Sequence, residues 1–553
     1  MKAQQVAQTP NNETYNEEQP AAVIDAAGGN YTVIRLLTSV LCYGYTRTNM
    51  LKVIVKNAGS NALVMVVKIC FSFIMAPVIV HALGNYDYGL WEIVFSLIGY
   101  MGLMDIGMRP AVIRYVAKFK AENDRTKLNQ VFSTAVVFNA TVGTVCCVVL
   151  FCWAYLKPEL LAESAGSSSE RYVFFLIIIG IQIFFQFPGY IAQSFHEGYQ
   201  RHYLNNSITL INTFVGNTIL YYLLTHGYGL LTLALGNCIG ISFKYIVYFL
   251  LLRKEKYGGY SFGRKDLSKP VLKMLVGFGA KTFVQSTAST IAGSVGTIVI
   301  GFFLGPAMVP FYTIPGRLIS YIREFSMTIT NVFLPVFSHL HAGGEQEKLR
   351  NLYASSTKFI TGLTFPAAIG VCMLGPAFIT RWIGAEYGES AGLLLFLLTG
   401  GFVLLMMNPL HQRYLTGIGR IEFLARIRVI TAVALLLLCL LLVKPFGKEG
   451  VAGAFLLNSL VFEPIIFVYT CRQLQIKVWD FCHRVYLRGI IPNVALMVLL
   501  YFLIHKWEPA SYPAIMSVAL LAGTAYLFLF TLLTITADER LFLAGKIKNL
   551  LKV

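Results

Sequence analysis

Charge is scarce in this sequence, and acidic residues are the scarcest of the charged ones. Only 13% of the 553 residues are Asp, Glu, Lys or Arg, and 27 acidic residues stand against 45 Lys and Arg. An ordinary soluble domain has about 25% charged residues. With 56% hydrophobic residues and a mean hydropathy of +0.64, the composition excludes a soluble globular protein and predicts an integral membrane protein.

Two sequence motifs of common catalytic sites are also missing. Neither G-x-x-x-x-G-K-[ST], which cradles nucleotide phosphates, nor H-E-x-x-H, which binds zinc, occurs in the chain. The ten cysteines lack the C-x-x-C spacing of metal and redox sites, so we interpret them as small packing residues. We therefore expect no metal, no cofactor and no enzymatic activity.

Long apolar runs, in contrast, are abundant. A helix needs about 20 apolar residues to cross a bilayer core of about 30 Å, and only helices satisfy their own backbone groups at that length. The sequence therefore predicts an all-α polytopic membrane protein with fourteen transmembrane helices. These helices are predicted to begin near residues 54, 88, 128, 172, 203, 228, 272, 306, 352, 390, 422, 450, 486 and 512.

Lys and Arg are distributed unevenly among the loops between these helices. Cytoplasmic loops collect basic residues, and the loops on one predicted side hold 31 Lys and Arg against six on the other. We therefore expect both termini in the cytoplasm and the protein in a bacterial cell (inner) membrane. The same bias explains most of the +18 net charge, which we attribute to topology and membrane lipids rather than to nucleic-acid binding.

The chain contains a weak internal repeat. Residues 51–84 align without gaps on residues 272–305, at an offset of 221, and seven of the 34 pairs are identical. Because both segments are predicted to start on the cytoplasmic side, the repeat predicts two parallel six-helix lobes. The expected organisation is a largely disordered cytoplasmic tail (1–49), an N-lobe (50–256), a cytoplasmic linker (257–270), a C-lobe (271–475), two accessory helices (484–537) and a cytoplasmic C-terminal tail (538–553).

Several stretches carry a family resemblance. The run "LGNYDYGLWEIVFSLIGYMGLMDIGMRPAVIRYVA" resembles the helix hairpin of the polysaccharide transporter or oligosaccharide flippase family. "FLPVFSHLHAGGEQEKLRNLYASSTKF", "ITRWIGAEYGESAGLL" and "LTGIGRIEFLARI" resemble later segments of that family, which belongs to the multidrug/oligosaccharidyl-lipid/polysaccharide exporter superfamily. The resemblance implies two lobes that form a V around a central cavity, and export of lipid-linked oligosaccharides to the outer leaflet. It also implies the lipid-linked substrate, membrane lipids and polysaccharide polymerase machinery as partners.

Ionisable residues inside the predicted helices are the candidate functional residues, because a charge inside a bilayer is costly. The diphosphate of such a substrate is anionic, so cations are expected to line its path. Lys68 and Arg317 are predicted at similar, mid-bilayer depths, facing the space between the lobes. The predicted substrate-binding residues are Lys68, Arg317, Lys281 and Arg323, and the predicted coupling or charge-pairing residues are Glu324 and Glu463.

A carboxylate and a guanidinium also lie four residues apart in an apolar segment. Asp105 and Arg109 can form an i, i+4 pair on a helix. Pro110 cannot donate a hydrogen bond to the carbonyl of Ile106, and Gly107 weakens the helix further. We interpret Asp105, Arg109 and Pro110 as a gate or hinge at the cytoplasmic base of the cavity.

Alternative interpretations remain open. The deep charges can be paired for packing alone, and the Asp105–Arg109 cluster can simply set topology. A cation-coupled multidrug exporter of the same superfamily is the rival function, although carboxylates would be expected to line its cavity. A polymerase or glycosyltransferase would need an extramembrane reaction compartment, and the longest predicted outer loop, residues 157–171, offers no catalytic constellation.

Overall fold

The computed structural model describes residues 48–156, 169–254, 260, 262–536 and 540. Most of both predicted tails and part of the predicted linker lie outside these residues. Within them every regular element is a helix, and ten helices are long and apolar enough to cross a membrane. The prediction of an all-helical membrane protein is therefore confirmed for this part of the chain.

Sixteen α-helices follow one another in the described residues. In chain order they are α1 Thr48–Met101, α2 Met108–Ala121, α3 Arg125–Leu156, α4 Ser169–Gly198, α5 His202–Thr225, α6 Leu230–Arg253, α7 Lys269–Leu304, α8 Val309–Thr330, α9 Phe333–Ala342, α10 Gln346–Trp382, α11 Ala385–Met406, α12 His411–Gly417, α13 Ile421–Gln473, α14 Val478–Cys482, α15 Arg488–Trp507 and α16 Tyr512–Leu533. Short 3₁₀ turns at Gly102–Asp105, Arg264–Asp266 and Pro306–Met308 and a π turn at His483–Leu487 complete the chain.

Two very long helices are each divided by one glycine. Gly84 in α1 has φ +72° and Gly447 in α13 has φ +59°, values that interrupt the helix and that L-residues rarely adopt. The arms of α1 are residues 48–83 and 85–101. Each long helix therefore consists of two arms that meet at a sharp bend.

Backbone features recur at the offset of 221 residues. Gly84 and Gly305 both have positive φ, +72° and +89°, and so do Asn123 and Gly344, +53° and +69°. α3 and α10 begin directly beyond the second pair, at the same offset. Chance identities between two apolar segments would not also give backbone turns at matching positions. These features therefore support the internal repeat.

An acid–lysine pair at the start of α3 and α10 repeats in the same way. Asp124 Oδ2 lies 3.0 Å from Lys127 Nζ, and Glu345 Oε2 lies 2.7 Å from Lys348 Nζ. Asp124 also accepts a hydrogen bond of 2.9 Å from the backbone N–H of Lys127, and this bond and the lysine charge lower the pKa of the Asp124 carboxyl. Both helix starts thus carry an acid–lysine ion pair, 221 residues apart.

Residues 48–253 are called the first repeat below, and residues 269–473 the second repeat. α15 and α16 lie outside both and pack on α10, where Tyr526 Oη donates a hydrogen bond of 2.9 Å to the carbonyl of Gly362. An apolar groove of about 310 Å³ lies between these three helices.

Candidate functional site

One place where the repeats meet is the end of the molecule that carries the bend of α1, called the Gly84 end. There Trp382 Nε1 donates a hydrogen bond of 2.8 Å to the carbonyl of Phe73, and Tyr387 Oη donates one to Asn85. Both contacts join α1 of the first repeat to α10 or α11 of the second. The Gly84 end is therefore closed by direct contacts between the repeats.

An ion pair strengthens this closure. Arg317 on α8 pairs with Glu92 on the second arm of α1, and both side chains are half-buried. The guanidinium also lies 5.9 Å from the centre of the Tyr88 ring. Arg317, predicted from the sequence as a free cavity cation, is thus neutralised by a carboxylate of the other repeat.

A glycine permits the closest approach of the two repeats. A Cβ atom at Gly89 would lie 1.8 Å from the carbonyl oxygen of Pro306, a backbone atom that cannot move independently. A larger residue therefore cannot be accommodated unless the helices separate.

The variant Gly89→Val tests whether this closure is part of the working cycle. Overpacking costs about 1–3 kcal/mol, so we expect transport to fall about ten- to a hundredfold at unchanged expression and membrane insertion. The rate at which the cargo crosses the membrane of proteoliposomes measures the effect. Gly216→Val is the matched control, because no atom lies within 4 Å of a Cβ there. Wild-type transport by Gly89→Val would contradict the role of the closure.

The first arm of α1 runs antiparallel to α8. Ser72 hydrogen-bonds Tyr321, and Thr328 lies 3.4 Å from the sulfur of Met65. This register places Lys68 level with residues 324–325, about 12 Å farther from the Gly84 end than Arg317. The expectation that Lys68 and Arg317 share a depth is therefore wrong, because a single sequence does not show the relative register of two helices.

Three cations of the first repeat lie close together instead. Arg109 stacks on the ring of Tyr190 at 4.3 Å, and the ammonium of Lys244 lies 4.4 Å from the ring of Tyr245. The charges of Lys68 and Arg109 both act on Lys244. We call Lys68, Arg109 and Lys244 the cation cluster. Lys68 is exposed and the other two are half-buried.

The helix is interrupted at the residues predicted to form a gate, but the interruption is a pair of left-handed residues rather than a weakened helix. Ile106 and Gly107 have left-handed backbone conformations, with φ +51° and +68°, between the 3₁₀ turn and α2. Asp105 accepts a hydrogen bond of 2.8 Å from the N–H of Gly107, and Pro110 lies in the first turn of α2. The i, i+4 ion pair of Asp105 and Arg109 does not form, because the two residues are not on one helix.

This break is packed against the second repeat. A Cβ at Gly279 on α7 would lie 2.4 Å from the carbonyl oxygen of Ile106. Arg114 on α2 also stacks on Phe278 of α7 at 4.4 Å. A change in backbone conformation at Ile106 and Gly107 would therefore also displace α7. The gate or hinge function itself stays a prediction.

A second cluster of charged side chains lies within the second repeat. Arg428 Nη1 is 3.9 Å from Glu463 Oε1, and Arg428 Nη2 donates a hydrogen bond of 2.7 Å to His411 Nε2. His411 in turn hydrogen-bonds the carbonyl of Asn408, so its ring is neutral. Glu463 is 7% exposed, and its Oε2 atom has no hydrogen-bond partner among the described residues.

The remaining predicted residues lie nearby or outside the described side chains. Arg323 and Glu324 are exposed on α8, and Arg323 experiences the charges of Glu324, Arg428 and Glu463. Lys281 is part of α7, but its side chain is not among those described. Arg323, Glu324 and Glu463 thus belong to one mixed-charge group, unlike the cation cluster.

Sequence reasoning missed several partners of these residues. None of Glu92, Arg428, His411 and Lys244 is among the functional residues predicted from the sequence. The sequence does indicate that Lys244 lies within a membrane helix, because apolar residues flank it on both sides. Pairings between distant helices carry no local signal, so Glu92 and Arg428 could not be matched to Arg317 and Glu463.

Among the described residues no group of three or more His, Cys, Asp or Glu side chains could hold a metal ion.

Comparison with protein families gives two matching models. The model described as "Polysaccharide biosynthesis protein" matches residues 64–392, and the model described as "Lipid II flippase MurJ" matches residues 322–523. The uncharacterized membrane protein EpsK of Bacillus subtilis is 22% identical over 88% of this chain and 96% of its own length. The probable low-salt glycan biosynthesis flippase Agl15 of Haloferax volcanii is 25% identical over 38% of this chain and 45% of its own.

Solved structures share the fold at low identity. The lipid II flippase MurJ in an inward closed conformation has a TM-score of 0.64 and 15% identity, covering 85% of this chain and 98% of that one. An inward-facing multidrug resistance MATE family transporter of the MOP superfamily has a TM-score of 0.63 and 14% identity, with coverage of 80% and 98%. At these identities the likeness concerns the fold alone.

Proposed function

The chain belongs to the polysaccharide biosynthesis protein family, and from this membership we propose that it is a flippase for a polyprenyl-diphosphate-linked oligosaccharide. The cargo would move from the inner to the outer leaflet during surface polysaccharide biosynthesis. The match of residues 322–523 to a lipid II flippase model and the similarity to a probable glycan biosynthesis flippase support this proposal.

The cation cluster is the observation that carries the proposal. A diphosphate cannot cross hydrocarbon unaided, because removing its charge from water is prohibitive. Lys68, Arg109 and Lys244 gather three positive charges in one six-helix unit, and none of them is within ion-pair distance of a described carboxylate. A site in a membrane protein that holds more cations than carboxylates suits an anionic cargo.

The transport cycle that fits this site is alternating access. Counting each arm of α1 and α13 once, and adding α7 and α8 to the other spans, gives the fourteen crossings that we propose. The repeats then act as two lobes, with α15 and α16 as an accessory pair. Contacts at the Gly84 end close the lobes on the side proposed to face outward, and these contacts must part when cargo leaves.

Arg317 was expected to bind cargo, but Arg317 and Glu92 are better assigned another role. Because their charges cancel across the interface between the repeats, we assign this pair to closure rather than to cargo binding. Arg323, Glu324 and Glu463 are likewise candidates for charge pairing or coupling within the second repeat.

A multidrug exporter remains the second candidate, because the MATE fold is shared. Cationic drugs need carboxylates, whereas the cluster of the first repeat holds three cations around Tyr190 and Tyr245. The charge of the site therefore favours the anionic cargo.

Deletion of the gene tests the function directly. In a background without redundant flippases, we expect lipid-linked oligosaccharide to accumulate in the inner leaflet and surface polysaccharide to be lost. Extraction of the lipids and a sidedness assay with an impermeant sugar-modifying reagent measure both effects. Normal surface polysaccharide without accumulation would contradict the proposal.

A further inference from the structure

One face of α4 is polar over about 22 Å of its length. Gln182, Gln186, Tyr190, Gln193 and Glu197 follow one another at intervals of four, four, three and four residues, which places them on one side of the helix. We call these five residues the α4 stripe. Inside a bilayer such a row must face polar partners or water rather than lipid.

Partners from neighbouring helices hold the stripe in place. Asn237 on α6 donates a hydrogen bond of 3.1 Å to Gln182, and Asn205 on α5 donates one of 3.2 Å to Glu197. Gln193 also donates a hydrogen bond of 2.9 Å to Glu197. Gln182 is buried, whereas the other four side chains of the stripe are only half-buried. The row is thus ordered and still accessible.

The polar face of α4 ends in apolar residues toward the Gly84 end. Ile179 and Phe175 lie about one and two helical turns before Gln182 on the same face, and both are fully buried in an apolar core. Beyond them the face is polar as far as Glu197, next to the end of α4. The polar surface of α4 is therefore bounded by an apolar core on one side only.

The net positive charge around the α4 stripe is smaller than the charge of a diphosphate dianion. The cation cluster supplies three positive charges, Glu197 supplies one negative charge, and Asp105, whose carboxyl interacts with Arg109, supplies another. Tyr245 interacts with both Arg109 and Glu197, so the Glu197 carboxylate lies in the same region as the cations. One positive charge remains, and a bound diphosphate therefore leaves no cation for a further acid.

We infer that, given the proposed flippase function, the α4 stripe binds the sugars next to the diphosphate and selects uncharged sugars over acidic ones. Side-chain amides donate and accept hydrogen bonds, as sugar hydroxyl and acetamido groups do. A uronate at this place would meet the carboxylate of Glu197 and no free cation. Specificity therefore comes from matched amides together with a repelling acid.

Purified full-length protein in proteoliposomes tests the inference with three polyprenyl diphosphates, carrying a neutral tetrasaccharide, a tetrasaccharide with two uronic acids, or a single hexose. We expect the wild type to flip the neutral tetrasaccharide at least about tenfold faster than the acidic one. Glu197→Gln should reduce this ratio to about threefold or less. An impermeant glycosidase measures the rate at which each sugar changes sides.

The double variant Gln186→Leu/Gln193→Leu separates sugar binding from the diphosphate site. We expect it to slow the neutral tetrasaccharide about tenfold and to leave the single hexose within about twofold of the wild type. Asn217→Leu is the control, because among the described residues that amide donates a hydrogen bond within its own helix alone, to the carbonyl of Thr213.

Three outcomes would overturn the inference. These are equal wild-type rates for neutral and acidic tetrasaccharides, an unchanged ratio in Glu197→Gln, and equal loss of all three lipids in the double variant, which would make the stripe merely structural. Failure of the wild type to flip any of the three lipids would instead reject the flippase function itself.

Discussion

Lys68→Glu is expected to lower flipping of the lipid-linked oligosaccharide by a hundredfold or more. A charge-assisted contact to a desolvated anion is worth about 1.5–3 kcal/mol, so loss of the cation alone lowers the rate about ten- to a hundredfold. Reversal adds repulsion between the new carboxylate and the diphosphate. Lys68→Arg keeps the charge and should retain most of the activity. Rates in proteoliposomes, at matched protein levels, measure the difference.

Controls distinguish cargo binding from general charge effects. Lys444→Glu changes an exposed lysine at the Gly84 end, beside Phe303, and should leave flipping near the wild-type rate. Arg317→Ala and Glu92→Ala should have similar effects, and the double variant should be no worse than either, because both remove one ion pair. Full export by Lys68→Glu would remove the cation cluster from the cargo site.

Cross-linking the two repeats at the Gly84 end is expected to abolish flipping. Asn85 and Tyr387 hydrogen-bond across the interface, so Asn85→Cys/Tyr387→Cys places two thiols within reach of a short, cleavable bifunctional reagent. Locked repeats cannot release cargo on that side, and the expected activity is less than about 1% of the untreated protein, a difference of about 2.7 kcal/mol or more. Cleavage of the linker should restore the rate.

A second pair of cysteines provides the matched control for this experiment. Asn206 Nδ2 donates a hydrogen bond of 2.6 Å to Asn61, and both residues belong to the first repeat. Asn61→Cys/Asn206→Cys should cross-link equally well and leave most of the activity. The ten native cysteines are replaced beforehand in both variants. Flipping by the Asn85–Tyr387 cross-linked protein would show that the Gly84 end stays closed throughout the cycle.

The repeated architecture could be predicted from the sequence because it depends on local patterns. Seven identities between residues 51–84 and 272–305 included Gly84 and Gly305, and the structure gives both glycines the same left-handed backbone. The apolar runs likewise predicted the helices. Helix formation and glycine turns are encoded by neighbouring residues.

The site was harder to predict because it depends on contacts between distant helices. Arg317 and Glu92 are 225 residues apart, and neither sequence context indicates the other. At Asp105 and Arg109 the local pattern was misleading: an i, i+4 pair needs a continuous helix, and left-handed Ile106 and Gly107 remove it. A charge in a membrane helix indicates that a function or a partner exists, but not which one.

The matching turns at Gly84 and Gly305 have an evolutionary consequence. A gene that encoded one six-helix unit, working as a pair, gives this arrangement by duplication and fusion. Once the copies share a chain, each can diverge alone. At the offset of 221, Lys68 corresponds to Ser289, Arg109 to Thr330 and Lys244 to Ile465, so all three cationic positions are neutral in the later copy. Such a fused ancestor would have had two equivalent halves, and under the proposed function the cationic site would belong to the earlier copy alone.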